Sequence, residues 1–115
     1  MATPQFIEES TLSLADVKAI MAKVTKREEE LNYRSNKAKE FVENFQPALS
    51  LEKATELKEK LLGLGLTRLK EEHVSKIIDF LPTKVVDLKT VLAAYPLSMP
   101  KKDMDAIVAT VKEFA

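Results

Sequence analysis

Pro82 interrupts an apolar stretch that would otherwise continue as one helix, so Leu69 to Leu92 reads as two short helices meeting at a Leu-Pro corner. Proline has no N–H to donate and its ring clashes with the preceding turn, so a helix does not run through it. Ahead of it, Val74, Ile77, Ile78 and Leu81 recur at the three- and four-residue spacing of one buried helical face. Behind it, Thr83 is placed to cap the next helix. Asp87 falls in that helix's first turns, and Leu88, Val91 and Leu92 face inward. This spacing predicts a helical corner and, by itself, no chemistry.

Working outward from that corner, the chain reads as helices on both sides. Residues Met1 to Leu12 lack helical periodicity; Phe6 and Ile7 form a short apolar step before Glu8 and Glu9. This is either a frayed terminus or an arm that adds to the sheet of another protein. Ser13 suits an N-cap, with Asp16 three residues on as a short capping box, and the helix they open carries Leu14, Val17, Ile20, Met21 and Val24 on one stripe. Ala15, Asp16, Lys18 and Lys23 take up the remaining surface. Beyond the polar run Thr25 to Glu30, a second stripe of Ala38, Phe41, Val42 and Phe45 ends before Pro47.

Ser50 opens a further helix with Ala54, Leu57, Leu61 and Leu62 inward, stopped by Gly63 and Gly65. Past the corner, Ser98 is expected to open the last helix, with Pro100 tolerated in its first turn. Met104, Ile107, Val108, Val111 and Phe114 line that helix's buried side. From Glu28 onward the pattern predicts five helical segments with short links.

Composition fits an all-helical domain. With 115 residues, 45% of them apolar, the chain can bury a core without disulfides; a domain this size covers roughly two-thirds of its unfolded surface. Only two glycines are available for tight turns. The absence of cysteine removes disulfides, thiolate chemistry and sulfur-ligated metals. Eighteen basic residues balance eighteen acidic ones, so the bulk field that drives stand-alone nucleic-acid binding is missing. With no long apolar run and no basic-then-apolar leader, the expectation is a cytoplasmic protein, neither membrane-spanning nor secreted.

Nothing in the chain converges on catalysis. His73 is the one histidine and reads as a partly exposed helix residue; a lone imidazole without cysteines builds no metal cage. Glu72 and Lys76 have the spacing of an ordinary helical ion pair. Gly63-Leu64-Gly65 lacks the Lys-Ser/Thr tail of a phosphate loop. Phe41, Phe45, Phe80 and Phe114 are expected in the core, which leaves Tyr33 and Tyr95 as the available stacking platforms for a nucleic acid. The chain reads as no enzyme by itself, with no cofactor, no metal and no small-molecule substrate.

Three stretches, taken in order, carry a resemblance. Lys-Glu-Glu at residues 70–72 leads into Ile77-Ile78-Asp79-Phe80-Leu81-Pro82-Thr83 and then Asp87-Leu88-Lys89. Near the start stands Thr11-Leu12-Ser13-Leu14-Ala15-Asp16-Val17-Lys18. Near the end, Pro96-Leu97-Ser98 precedes Met104, Ile107, Val108 and Val111. The chain thereby resembles the F-type stalk subunits of archaeal DNA-directed RNA polymerase, counterparts of the fourth subunit of the eukaryotic enzymes. Where relatives often carry Arg, this chain has Lys89, which cannot copy a planar bidentate contact.

The resemblance implies an all-α, HRDC-like helical bundle with an N-terminal extended arm and helix that pack on a partner. It divides the chain into residues 1–27, binding the partner, and residues 28–115, forming the bundle. It implies a heterodimer with the larger, E-type stalk subunit of RNA polymerase, which attaches the pair to the polymerase core. Contacts with transcription initiation factors and weak contact with nascent RNA are implied as well. The work expected of it is promoter opening and transcript handling. The resemblance favours the arm over the frayed terminus and names Phe6, Ile7, Leu12, Leu14, Val17, Ile20 and Met21 as partner-binding, joined by part of the Phe41/Phe45 face. The alternatives are a stand-alone HRDC-like nucleic-acid-binding module and a generic helical adaptor.

Overall fold

A computed structural model describes residues 5, 8–28, 30–95 and 97–115. Among the described residues the chain forms six helices and no strand: α1 (Leu14–Arg27), α2 (Tyr33–Asn44), α3 (Leu51–Leu62), α4 (Glu71–Phe80), α5 (Val85–Val91) and α6 (Lys101–Lys112). The bundle is all-α, as the periodicity predicted.

The core lies among the last four helices. Leu57 and Leu61 of α3, Val74 and Ile77 of α4, Leu88 of α5, and Ile107 and Val111 of α6 are fully buried. The central helix is α3, packed on α4, α6 and α1, while α5 bridges α4 and α6. Leu57 and Leu61 stand four apart on one line of α3, and that line alone turns inward. Leu62 is rotated about 100° from Leu61 and is 42% exposed, contrary to its expected place inside. At the far ends of α3 and α6, Lys60 donates to Glu113 at 2.8 Å. This bond holds the exposed Lys60 ammonium above its ordinary range.

The corner at Pro82 is built by two neighbours. Leu81 leaves α4 in the left-handed region (φ 47°), its N–H donating to Ile77 O at 2.8 Å. The ring of Pro82 bars Leu81 from continuing as α-helix, and a branched residue in this conformation costs about 1–2 kcal/mol. Burial of Pro82 and packing of Leu81 on the core offset that cost. Residues 81–84 complete the turn, so α5 starts one residue later than expected. Lys84, extended and offering no side-chain acceptor, occupies the N-cap position expected for Thr83.

The start of α6 is shifted as well. Pro100 (ψ 151°) is the N-cap and Ser98 lies outside the helix. Proline restricts the residue before it to extended backbone, so no helix forms through Met99. At the end of α3, Gly63 is the C-cap at φ −70° and Gly65 takes the left-handed conformation at φ 70°.

His73 is 4% exposed, not a partly exposed helix residue. Its Nδ1 accepts the backbone N–H of Lys70 at 3.0 Å, closing the first turn of α4 as a capping-box glutamine does. The ring meets Tyr95 edge-on, centroids 4.6 Å apart. Glu72 lies 3.8 Å from His73 Nε2, and the expected Glu72–Lys76 pair does not form; the Lys76 ammonium sits 5.9 Å from the Tyr95 ring instead. Tyr95 is thus half-buried and already contacted on edge and face.

Candidate partner-binding surface

The N-terminal helix pair buries very little within the chain. Ala15 is the one buried residue of α1 and Val42 the one buried residue of α2. Ala15, assigned by sequence pattern to the polar side, is the residue that enters the core beside Leu49 and Ala54. Ala15 lies where α1 packs on α3. The larger side chains of the α1 stripe are displaced to the rim. Leu14, Val17, Met21 and Val24 are half-buried, and Ile20 is 45% exposed.

The orientation of α1 is set at its first turn by polar groups from two places in the chain. Ser13 and Asp16 form a capping box: the Asp16 N–H donates to Ser13 Oγ at 3.3 Å, and the Ser13 N–H donates to Asp16 Oδ2 at 3.1 Å. The next free donor, the N–H of Leu14, reaches Asp79 Oδ1 on α4 at 2.8 Å. One turn earlier in α4, Ser75 Oγ donates to Thr11 Oγ1 at 3.3 Å. Burial raises the Asp79 carboxyl above its ordinary range; the Leu14 hydrogen bond opposes this, Asp16 adds to it, and Lys76 opposes it weakly. One turn into α1, Lys18 Nζ donates to Gln46 Oε1 at 2.6 Å, tying the helix to the α2–α3 connector.

Large apolar side chains gather on the outside of this pair. Leu12 is 47% exposed, Phe41 50% and Phe45 60%. The two phenyl rings stack on each other with centroids 4.9 Å apart, tilted by 32°. Phe41 and Phe45 are therefore surface residues, not the core residues their spacing suggested. The helical stripe they share is real, but what α2 turns inward is Val42, one step round the helix. Phe6 and Ile7, expected in the same surface, lie outside the described residues.

Two further exposed apolar residues flank the Pro82 corner: Phe80 and Val86. The sequence reading placed Phe80 in the core and passed over Val86. Each stands two residues from a buried one, Ile78 and Leu88 respectively, hence about 200° round its helix. That angle was the available signal. Tyr33 is exposed as expected, with Lys37 Nζ 5.5 Å from its ring.

Between α1 and α2 runs an open groove of about 330 Å³ with an apolar floor of Met21, Ala22 and Val42. The charge around it is one-sided. α1 carries Lys18, Lys23, Lys26 and Arg27 against Asp16, and α2 carries Arg34, Lys37 and Lys39 against Glu40 and Glu43. The two helices are thus net +4, and Glu28, Glu29 and Glu30 in the link between them bring residues 14–44 to net +1.

Among the described residues, no group of three or more His, Asp or Glu side chains is placed to hold a metal ion, and no helix is long and apolar enough to cross a membrane. What the surface offers is apolar area and positive charge. Compared with known families, the chain matches the model for RNA polymerase Rpb4 over residues 6–115, a span that contains all six helices. No curated protein matches it.

Proposed function

This chain belongs to the RNA polymerase Rpb4 family and is a subunit of RNA polymerase, and from that premise we propose that it is the F-type subunit, the smaller, non-catalytic half of the polymerase stalk. It pairs with the larger, E-type stalk subunit and through it joins the core enzyme. Residues 1–27 clasp the partner while residues 28–115 form an HRDC-like bundle that holds the clasp in place. The setting is the cytoplasm of an archaeal cell. There the stalk supports promoter opening, engages initiation factors and guides emerging transcript.

The observation that carries this reading is the mismatch within α1 and α2: a helix pair that buries two small apolar residues yet displays Leu12, Ile20, Phe41 and Phe45. Exposed large apolar side chains, of which Phe41 and Phe45 touch each other, mark a candidate interaction surface. Permanent interfaces of this kind cover more than about 2,000 Å² in total and resemble a core cut in two. Phe6, Ile7, Leu14, Val17 and Met21 complete the proposed contact.

Co-expression with the larger stalk subunit tests it. The full chain is expected to co-purify in a one-to-one complex, and removal of residues 1–24 to abolish it while the remainder stays helical. Full-strength binding by the truncated chain overturns the assignment. A salt-dependent gel shift by the isolated chain would favour the stand-alone nucleic-acid-binding module instead.

A further inference from the structure

We infer that the α1–α2 groove receives an acidic amphipathic segment of the partner, which seats an apolar side chain on Met21, Ala22 and Val42 and sets carboxylates against Lys18, Lys26 and Lys39. This rests on the reading that the larger stalk subunit covers the N-terminal helix pair, and adds what that partner must present.

Three properties of the groove define its occupant. Its volume, about 330 Å³, lies at the small end of ligand clefts, which run about 300–1,000 Å³. Its floor is aliphatic, with no buried polar group converging on it to orient a small molecule. A protruding Leu, Ile or Phe satisfies such a floor, whereas a polar metabolite leaves its hydrogen-bonding groups unpaired. The third property is charge: three ammonium groups line the groove against one carboxylate, Glu43, which Lys39 already approaches at 3.9 Å.

Lys18 and Lys26, eight residues apart, flank the floor residues on the same helix. The span between them is about 12 Å at the helical rise of 1.5 Å per residue. Carboxylates two turns apart on a partner helix, with an apolar residue between them, match that span. Ile20, exposed beside Met21 in sequence, lies about 100° round α1 from it and so borders a neighbouring face of the same helix.

The inference is tested on the complex of the two stalk subunits. The double variant Lys26→Glu, Lys39→Glu replaces exposed or half-exposed side chains and leaves the Lys18–Gln46 bond in place, so its circular dichroism is expected to match the parent's. Binding is expected to weaken at least tenfold, chiefly through slower association, and to lose its salt sensitivity. A photo-crosslinking residue in place of Ala22 is expected to label a stretch of the larger stalk subunit in which Asp or Glu flanks an apolar side chain. Undiminished binding by the charge-reversed chain, or labelling of a basic or uncharged stretch, overturns the inference and leaves the stalk reading intact. Failure of the unaltered chain to bind the larger stalk subunit overturns both.

Discussion

Leu14 donates its backbone N–H to Asp79 Oδ1 at 2.8 Å, joining the first turn of α1 to α4 across 65 positions of sequence. The four leading N–H groups of any helix lack partners within it. In α1 the Ser13–Asp16 box satisfies a local one and α4 supplies the acceptor for another. This bond anchors a helix that otherwise buries one methyl side chain in the core.

Asp79 gives a pH-dependent prediction. Its carboxyl is raised, chiefly by burial, so the folded chain holds that proton more tightly than the unfolded one. Its contribution to stability is therefore greatest at and below the ordinary aspartate range. It falls as pH rises from the ordinary aspartate range through the elevated value. Asp79→Asn keeps the acceptor for Leu14 and removes the charge, so it should flatten the stability curve over that window. Asp79→Ala, which leaves the Leu14 N–H without its partner, should cost about 1–2 kcal/mol. Urea denaturation across a pH series measures both; parallel curves for the parent and Asp79→Asn contradict the account.

His73 should be worth far more than a surface residue. Its ring is buried and its Nδ1 closes the first turn of α4. Losing both the cap and the packing places His73→Ala at about 2–3 kcal/mol. His73→Gln, whose side chain can reach back to the Lys70 N–H, should recover part of that. A chemical-denaturation midpoint for His73→Ala equal to the parent's contradicts it.

Leu57 and the phenylalanine pair should separate stability from assembly. Leu57 is fully buried, so Leu57→Ala should cost about 2–5 kcal/mol. Changing Phe41 and Phe45 together to Ser forfeits their mutual stacking, about 0.5–1.5 kcal/mol, and little else within the chain. The same double change should cause most of the complex with the larger stalk subunit to be lost. Thermal melts of the free chain and co-purification of the pair read the two effects independently.

Gly65 should resist substitution despite having room around it. A Cβ there meets no atom within 4 Å, yet its φ is 70°. Gly65→Ala should therefore destabilise by about 1–2 kcal/mol through backbone strain alone. Gly65→Asn should cost less, because Asn tolerates the left-handed region. Equal melting temperatures for Gly65→Ala and the parent contradict the strain argument.

Helices and their buried lines were legible from residue order because both are local. Ser13 with Asp16, the run Val74-Ile77-Ile78, and the stop at Pro82 each depend on neighbours within about one or two turns. Membership in the polymerase family was legible for a related reason: the order and spacing of three short stretches persist along the chain. The misplacements share a different cause. Thr83 and Ser98 are plausible caps locally, but their neighbouring prolines and the turn between packed helices moved the helix starts to Val85 and Lys101.

Periodicity states that a helix has an apolar side; it carries no information on how much of that side another helix of the same chain will reach. The residue pattern by itself therefore determined six helical segments and most of the inward lines of α3, α4, α5 and α6. Tertiary packing alone decided that Ala15 goes in while Ile20, Phe41 and Phe45 stay out, and that His73 is enclosed. It also decided that Asp79 holds the start of α1. Those outcomes depend on the distances between elements remote in sequence, and such distances emerge only when the whole chain is packed.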